Sequence, residues 1–450
     1  MTIFDIGTLG VERVLLPGDD GYERASTVYA RTGRPAAIVQ PTTAEGVARA
    51  VRFAADNALT LSVRGGGHSG NGHSTNDDGL VIDLSLLAAV EIADDDRVRV
   101  GGGATWGAVA GSLAAHGLAL SSGDTASVGV GGLTLGGGIG WMVREFGLAL
   151  DQLVEAEVVL ASGEIVTAGR DENAELFWAL RGGGGNFGVV TAFTFQAHPL
   201  DGVHFGVLQF ATDATDSEAL FALLTGWRDV MRDAPDLLTT TFVSLPSFDD
   251  TPSGAQIIVC FADGDEEAAE KAIAPLLALG GLTANTIART AYADVLGEPP
   301  HPPEGIRIVN NNGYTARFDN ETVETLANVY AALPGSVLMI RYLGGEFSRV
   351  DPDATAFAYR DSETLIISAA FFPPDAPAAA ADGYQAQWNL LLPHLKGLYG
   401  NFSALSSDLA TPLMYPPQTL DRLLAAKTRY DPANLFDQNH NIRPGGLDWR

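Results

Sequence analysis

The chain has 450 residues, 46% apolar and 18% charged, a globular composition long enough for two domains. Its 27 Lys+Arg against 55 Asp+Glu give a net charge of −28, which disfavours nucleic acid and anionic membranes as partners. One cysteine, Cys260, leaves no internal disulfide and no thiolate cluster for zinc or iron–sulfur.

No basic segment followed by an apolar run opens the chain, and no apolar stretch reaches bilayer-spanning length, so the expectation is a soluble cytoplasmic protein. Ala36 to Val39 reads as a strand. Thr42 with Glu45 three residues on predicts a capping box, and Val47, Ala50, Val51, Ala54, Ala55 and Ala58 recur at helical spacing. Thr60 to Val63 is the next strand. It runs directly into Arg64-Gly65-Gly66-Gly67-His68-Ser69-Gly70-Asn71-Gly72-His73. Glycine admits positive φ and lets successive backbone N–H groups close around an anion, most often a pyrophosphate. Leu80 to Leu84 and Val98 to Gly101 are further strands, and Trp106 to His116 a helix.

Two more glycine clusters follow, Gly129 to Gly140 and Gly182 to Gly188. The first invites a Rossmann reading, but that fold needs a strand before the glycines, a crossover helix after them and an acid about twenty residues on. Val154 to Leu160 and Ile165 to Ala168, joined by Ala161-Ser162-Gly163-Glu164, instead predict an antiparallel hairpin. The classical nicotinamide fold is therefore rejected. From about Leu208 the pattern changes: Leu220, Leu223, Leu224, Trp227, Val230 and Met231 mark an amphipathic helix. Strands are expected at Thr239 to Leu245, Gln256 to Phe261, Val337 to Leu343 and Thr364 to Phe372, with a helix from near Glu266. Pro373-Pro374 and Ala378 to Ala381 form a connector or helix start. Leu423 to Tyr430 is helical and stops at Asp431-Pro432.

Four motifs in register carry a family resemblance. They are Arg64 to His73, the glycine run ending Gly136-Gly137-Gly138-Ile139-Gly140, Phe177-Trp178-Ala179-Leu180-Arg181-Gly182-Gly183-Gly184 with Asn186-Phe187-Gly188-Val189-Val190, and Tyr430-Asp431-Pro432-Ala433-Asn434-Leu435-Phe436 with Asn439-His440-Asn441-Ile442. Together they resemble the berberine-bridge-enzyme-like FAD-linked oxidases of the vanillyl-alcohol oxidase group, to which the bacterial 6-hydroxy-D-nicotine oxidases are related. The resemblance covers nearly the whole chain. It implies an α+β fold: a PCMH-type FAD-binding domain formed by residues 1–204 and completed by 405–450, with an inserted α+β substrate domain, 205–404, containing an antiparallel sheet.

The resemblance also implies FAD attached through His68, whose neutral imidazole is a competent nucleophile toward the flavin's 8-methyl position. Many members add a second link through a cysteine; here Thr125 stands in its place, so a link through His68 only is expected. The FAD-contacting residues carried over are Arg64, Gly65, Gly66, Gly67, His68, Ser69, Gly72, His73, Thr125, Val128, Gly129, Gly131, Gly132, Gly138, Gly140, Gly188, Val190, Asn439 and Asn441. Asn434 either joins them or caps its turn. A metal pair from His68 and His73 lacks a third ligand, so no metal is expected.

Tyr399-Gly400-Asn401-Phe402 resembles the family's Tyr-x-Asn-aromatic motif and makes Tyr399 the first candidate for base or substrate anchor. Alternation puts Leu338, Ile340 and Tyr342 on one strand face, where Tyr342 either contacts substrate or packs in the sheet. Ser368 stands roughly where the berberine bridge enzyme has a glutamate base, and a serine has no pKa for that task. The expected activity is hydride transfer from a CH–OH centre of a sugar or natural-product alcohol to flavin, with dioxygen as acceptor. The alternatives are oxidation of a CH–NH centre in a nicotine-like amine, or a flavin-binding protein with little turnover. The oligomeric state is left open.

Overall fold

The computed structural model describes residues 6–212, 215–245, 254–298, 306–333 and 335–445. A four-stranded sheet has the spatial order Arg13–Leu15, Ala37–Gln40, Leu80–Asp83, Leu61–Arg64, and the last three strands run parallel. The helix Ala44–Asp56 makes the crossover from Ala37–Gln40 to Leu61–Arg64. Its Val47, Ala50, Val51 and Ala54 are fully buried, one apolar face laid on the sheet. The cap is Thr43, whose side chain accepts from Gly46 N at 3.1 Å. Thr42, the residue expected there, instead donates its amide to Glu12 at 3.1 Å. The helix ends before Ala58, which takes a left-handed φ of 50°.

A five-stranded antiparallel sheet follows, ordered Val90–Ile92, Arg97–Gly101, Val189–Gln196, Leu153–Val159, Ile165–Gly169. It contains the expected hairpin, so the second glycine cluster does not open a doubly wound unit. The third sheet is also antiparallel. Its main path runs Leu282–Asn285, Val203–Phe210, Gly254–Phe261, Leu238–Leu245, Ser336–Tyr342, Thr364–Phe372, Arg307–Thr315.

The helices Ser217–Asp233 and Asn320–Ala331 cover one face of this sheet, burying Leu220, Leu224, Trp227, Phe242, Leu326, Leu338 and Ile340 in a common core. Its other face packs Tyr314 and Leu365 against Ile139 of the second glycine cluster and against Val143, Leu148 and Leu150 just after it. Arg360 and Asp151 lock this contact with a buried two-pronged ion pair, 2.6 and 2.8 Å. The chain then returns. The helix Pro417–Tyr430, longer than its apolar pattern suggested, packs Leu423, Ala426 and Tyr430 into the core that holds Leu176 and Phe177. Segments from both ends of the chain thus share one core, and the large antiparallel sheet is inserted between them in sequence.

Candidate flavin and substrate site

The parallel strand Leu61–Arg64 delivers the chain into the first glycine loop at its carboxyl end, the usual place for a ligand in open α/β sheets. Gly67 and Gly72 take φ of 73° and 69°. The first and second glycine loops touch backbone to backbone: a Cβ on Gly66 would sit 2.2 Å from Gly129 N, and one on Gly129 2.2 Å from Gly66 N. Only glycine allows that approach. The third loop is stitched on by amides of Gly182 and Gly184, both donating to Leu135 O at 3.0 Å.

Between the loops lies a cavity of about 490 Å³. Its wall includes Gly65, Gly66, Gly67, His68, Ser69, His73, Thr125, Val128, Gly129, Gly131, Gly132, Gly188, Val190 and Asn439, all anticipated from the motifs. Five anticipated residues do not reach the wall. The Arg64 guanidinium turns away to the carbonyls of Arg24 and Ala25. Gly72 lies against Arg31, Gly138 against Ala149 and Leu133, and Gly140 against the Ser122 carbonyl, so these glycines serve close packing. Asn441 is tied through its backbone to Ser407 and Thr411.

The tail closes the cavity on one side. Asn439 Nδ2 donates to Gly185 O at 3.2 Å, and Asn186 Nδ2 to His440 O at 3.1 Å. Beneath them Lys427 is fully buried, its ammonium held by Asp431 at 2.7 Å and by the carbonyls of Asn186 and Phe436, each at 2.9 Å. Burial lowers the lysine's pKa against the opposing pull of Asp431.

His68 stacks on Tyr29 with ring centroids 5.8 Å apart, and its Nε2 lies 2.9 Å from Ser127 Oγ. Nearby, the wall holds buried polar atoms without a protein partner: His73 Nε2, Asn439 Oδ1 and Asn310 Oδ1, with His440 Nδ1 beside them. Native structures rarely leave such groups unpaired, and here they border a glycine-lined cavity. That donor and acceptor set suits FAD: backbone amides for the diphosphate, imidazole and amide groups for the ring edge. Burial, with His440 beside it, lowers the pKa of His73 to about 4. It therefore presents a neutral imidazole at neutral pH.

The substrate side differs from expectation. Leu338, Ile340 and Tyr342 face the helices: Tyr342 packs edge-on to Trp227 at 5.9 Å, and its hydroxyl donates to Glu363 at 3.2 Å. Tyr342 does not line the cavity and is withdrawn as a substrate contact. Ser368 shares that face, accepting from Tyr384 Oη at 2.7 Å, so it does not occupy a base position. The other face carries Arg341, nearly buried, paired with Asp124 on the cavity wall and lying 5.6 Å from the Trp141 ring centroid and 5.9 Å from that of Phe402. Burial pushes the Asp124 carboxyl up, but the Arg341 charge and hydrogen bond, with help from Thr125, leave it below its usual value. A charged residue in a strand buried on both sides was the overlooked signal.

Tyr399 lines the cavity as expected. Its oxygen accepts from Gly138 N and from Asn401 Nδ2, both at 3.0 Å, while Asn312 fixes its backbone with bonds of 2.8 and 3.2 Å. Burial raises its pKa, opposed by the Gly138 and Asn401 bonds and by the Arg341 charge.

Residues 35–169 match the FAD binding domain family, and residues 399–443 match the berberine and berberine-like family. The (R)-6-hydroxynicotine oxidase of Paenarthrobacter nicotinovorans is 31% identical over 96% of this chain and 97% of its own. The chain belongs to the berberine-bridge-enzyme-like FAD-linked oxidases. Two solved oligosaccharide oxidases share the fold of this FAD-dependent oxidoreductase throughout. The xylooligosaccharide oxidase of Myceliophthora thermophila C1, in complex with xylobiose, superimposes with TM-score 0.87 at 26% identity, covering 98% of this chain and 99% of the other. The glucooligosaccharide oxidase of Acremonium strictum, described with a 6-S-cysteinyl, 8α-N1-histidyl FAD, gives 0.84 at 25%, covering 97% and 98%. In this oxidase Thr125 offers no sulfur at the cavity. Its Cys260 is fully buried in the large sheet, where burial pushes the thiol up to about 12.

Proposed function

We propose that this oxidase removes hydride from a CH–OH centre of a neutral small molecule, a sugar or natural-product alcohol, and passes the electrons to dioxygen with release of hydrogen peroxide. FAD held covalently by His68 alone would supply the two-electron acceptor. The observation that carries the alcohol reading is the Arg341–Asp124 pair. Asp124 is the one carboxylate among the described wall residues, and a guanidinium already engages it. A cationic amine would find no uncommitted anion among the described wall residues, whereas a hydroxylated substrate finds the acceptor Asn310 Oδ1.

Tyr399 takes the hydroxyl proton. Gly138 N–H and Asn401 Nδ2 point at the phenolic oxygen and stabilise it when ionised, and the nearby guanidinium of Arg341 adds to that. Arg341 keeps its place because Asp124 and the flanking rings hold it. The walls of Phe402 and Leu133 shed water from the reacting carbon. The amine alternative draws on the 31% identity to a hydroxynicotine oxidase, and the xylooligosaccharide and glucooligosaccharide oxidases favour the alcohol.

The test is anaerobic mixing with a panel of oligosaccharides, secondary alcohols and cyclic amines while the flavin band is watched. Bleaching by alcohols, with peroxide formed on readmitting air, supports the proposal. Bleaching by amines alone sinks it, and no bleaching by any compound points to a flavin-binding protein with little turnover.

A further inference from the structure

His68 belongs to a chain of three polar side chains that runs out to Glu298. Ser127 Oγ lies 2.9 Å from His68 Nε2 and donates to Glu298 Oε2 at 2.6 Å. The contact is built. The segment around Gly297 forms a backbone bridge with Thr125, Ala126 N donates to Gly297 O, and Gly297 N donates to Asp124 O, both at 3.0 Å. Those bonds hold Glu298 beside the second glycine loop, although Ser127 and Glu298 are 171 residues apart.

A serine hydroxyl has one proton, and here it goes to the carboxylate. The 2.9 Å contact then requires His68 Nε2 to be the donor, so the neutral ring carries its lone pair on Nδ1. We infer that Glu298 and Ser127 form a proton relay that sets the tautomer of His68 and accepts its proton when the flavin bond forms. The inference rests on His68 being the attachment residue.

The balance is as follows. On attachment the flavin 8-methyl group would lose a proton to water, the electron pair of the broken C–H bond would pass into the ring system, and the Nδ1 lone pair would form the new bond to that carbon. Bond formation makes the imidazole cationic, and its Nε2 proton leaves through Ser127 to Glu298, which is exposed and returns it to water. Dioxygen takes the two electrons with two protons as hydrogen peroxide, restoring the oxidised ring. Ser127 and Glu298 are positioning residues that act through His68.

The full chain, produced under riboflavin limitation and then given FAD, reports attachment directly. Flavin fluorescence of the denatured polypeptide is followed in time beside total bound FAD. Ser127→Ala and Glu298→Gln are expected to bind FAD as the parent does but to attach it about 10²-fold more slowly, with Ser127→Thr and Glu298→Asp recovering most of the rate. Parental attachment rates in both Ser127→Ala and Glu298→Gln overturn the relay while leaving His68 as the attachment residue, with His68→Ala as the blank. Should Ser127→Ala fail to bind FAD, Glu298→Gln decides alone, because its isosteric change lies on an exposed side chain. A parent chain that never acquires covalent flavin removes the attachment reading and the relay together.

Discussion

At the scale of single residues, Tyr399 and His73 are neutral groups whose surroundings define their protonation. If the Tyr399 phenolate is the base, flavin reduction by an alcohol should speed up as pH rises into the alkaline range and level off above the raised pKa. Tyr399→Phe should bind FAD normally, reduce it about 10²-fold more slowly in anaerobic stopped flow, and lose that rise. Reduction at the parental rate would remove Tyr399 from the chemistry. His73 gives a stability prediction. Its folded pKa of about 4 lies below the ordinary 6.5, so between those values the unfolded chain binds more protons than the native one. Stability should therefore fall as pH drops from 6.5 to 4, by on the order of 3 kcal/mol from this group, and level off below. Denaturant titrations across that window should show a shallower slope for His73→Asn.

At the scale of elements, the tail is held by a buried ion pair together with the side-chain amides of Asn186 and Asn439. Replacing Lys427 with Met would remove the cation that pairs with Asp431 and the buried donor to the Asn186 carbonyl, while the Phe436 carbonyl would keep only Asn439 Nδ2 of its two side-chain donors. A loss of about 3–5 kcal/mol is expected, together with a flavin more open to solvent when the tail lifts from Gly185. Denaturation midpoints and iodide quenching of the flavin fluorescence check both. What was legible at this scale followed periodicity. The hairpin of Leu153–Val159 with Ile165–Gly169 and the helix Ser217–Asp233 show clean alternation or clean helical spacing. The strand Ser336–Tyr342 does not, because both faces are buried. One face packs under helices and the other looks toward the glycine loops, so alternation picked out two faces without saying which faced the site. Tyr342 was assigned to the wrong side and Arg341 passed over for that reason. The Thr42 and Thr43 pair failed differently: adjacent residues of equal capping ability leave the start of a helix undetermined by one position.

At the scale of the whole molecule, the cavity is assembled from segments far apart in sequence: the loop of His68, the clusters at Gly129 and Gly182, Tyr399 and the tail. Glycine loops and short motifs announce such parts because each demands backbone geometry that few residues allow. Contacts between side chains on different segments leave no local pattern. The sequence therefore revealed most of the flavin wall but neither the Arg341–Asp124 pair nor the Ser127–Glu298 contact. Those two contacts join the large sheet and its loops to the flavin loop. On this account they tie substrate chemistry and cofactor attachment to the same region.

The central claim is that one imidazole carries the flavin, and peptide mapping tests it most directly. Acid-precipitated full-length protein is digested and its flavin-containing peptides are weighed. The account predicts a yellow precipitate and one modified peptide, spanning His68 and heavier by FAD less two hydrogens. Flavin released wholly into the supernatant, or found on a peptide without His68, would contradict it.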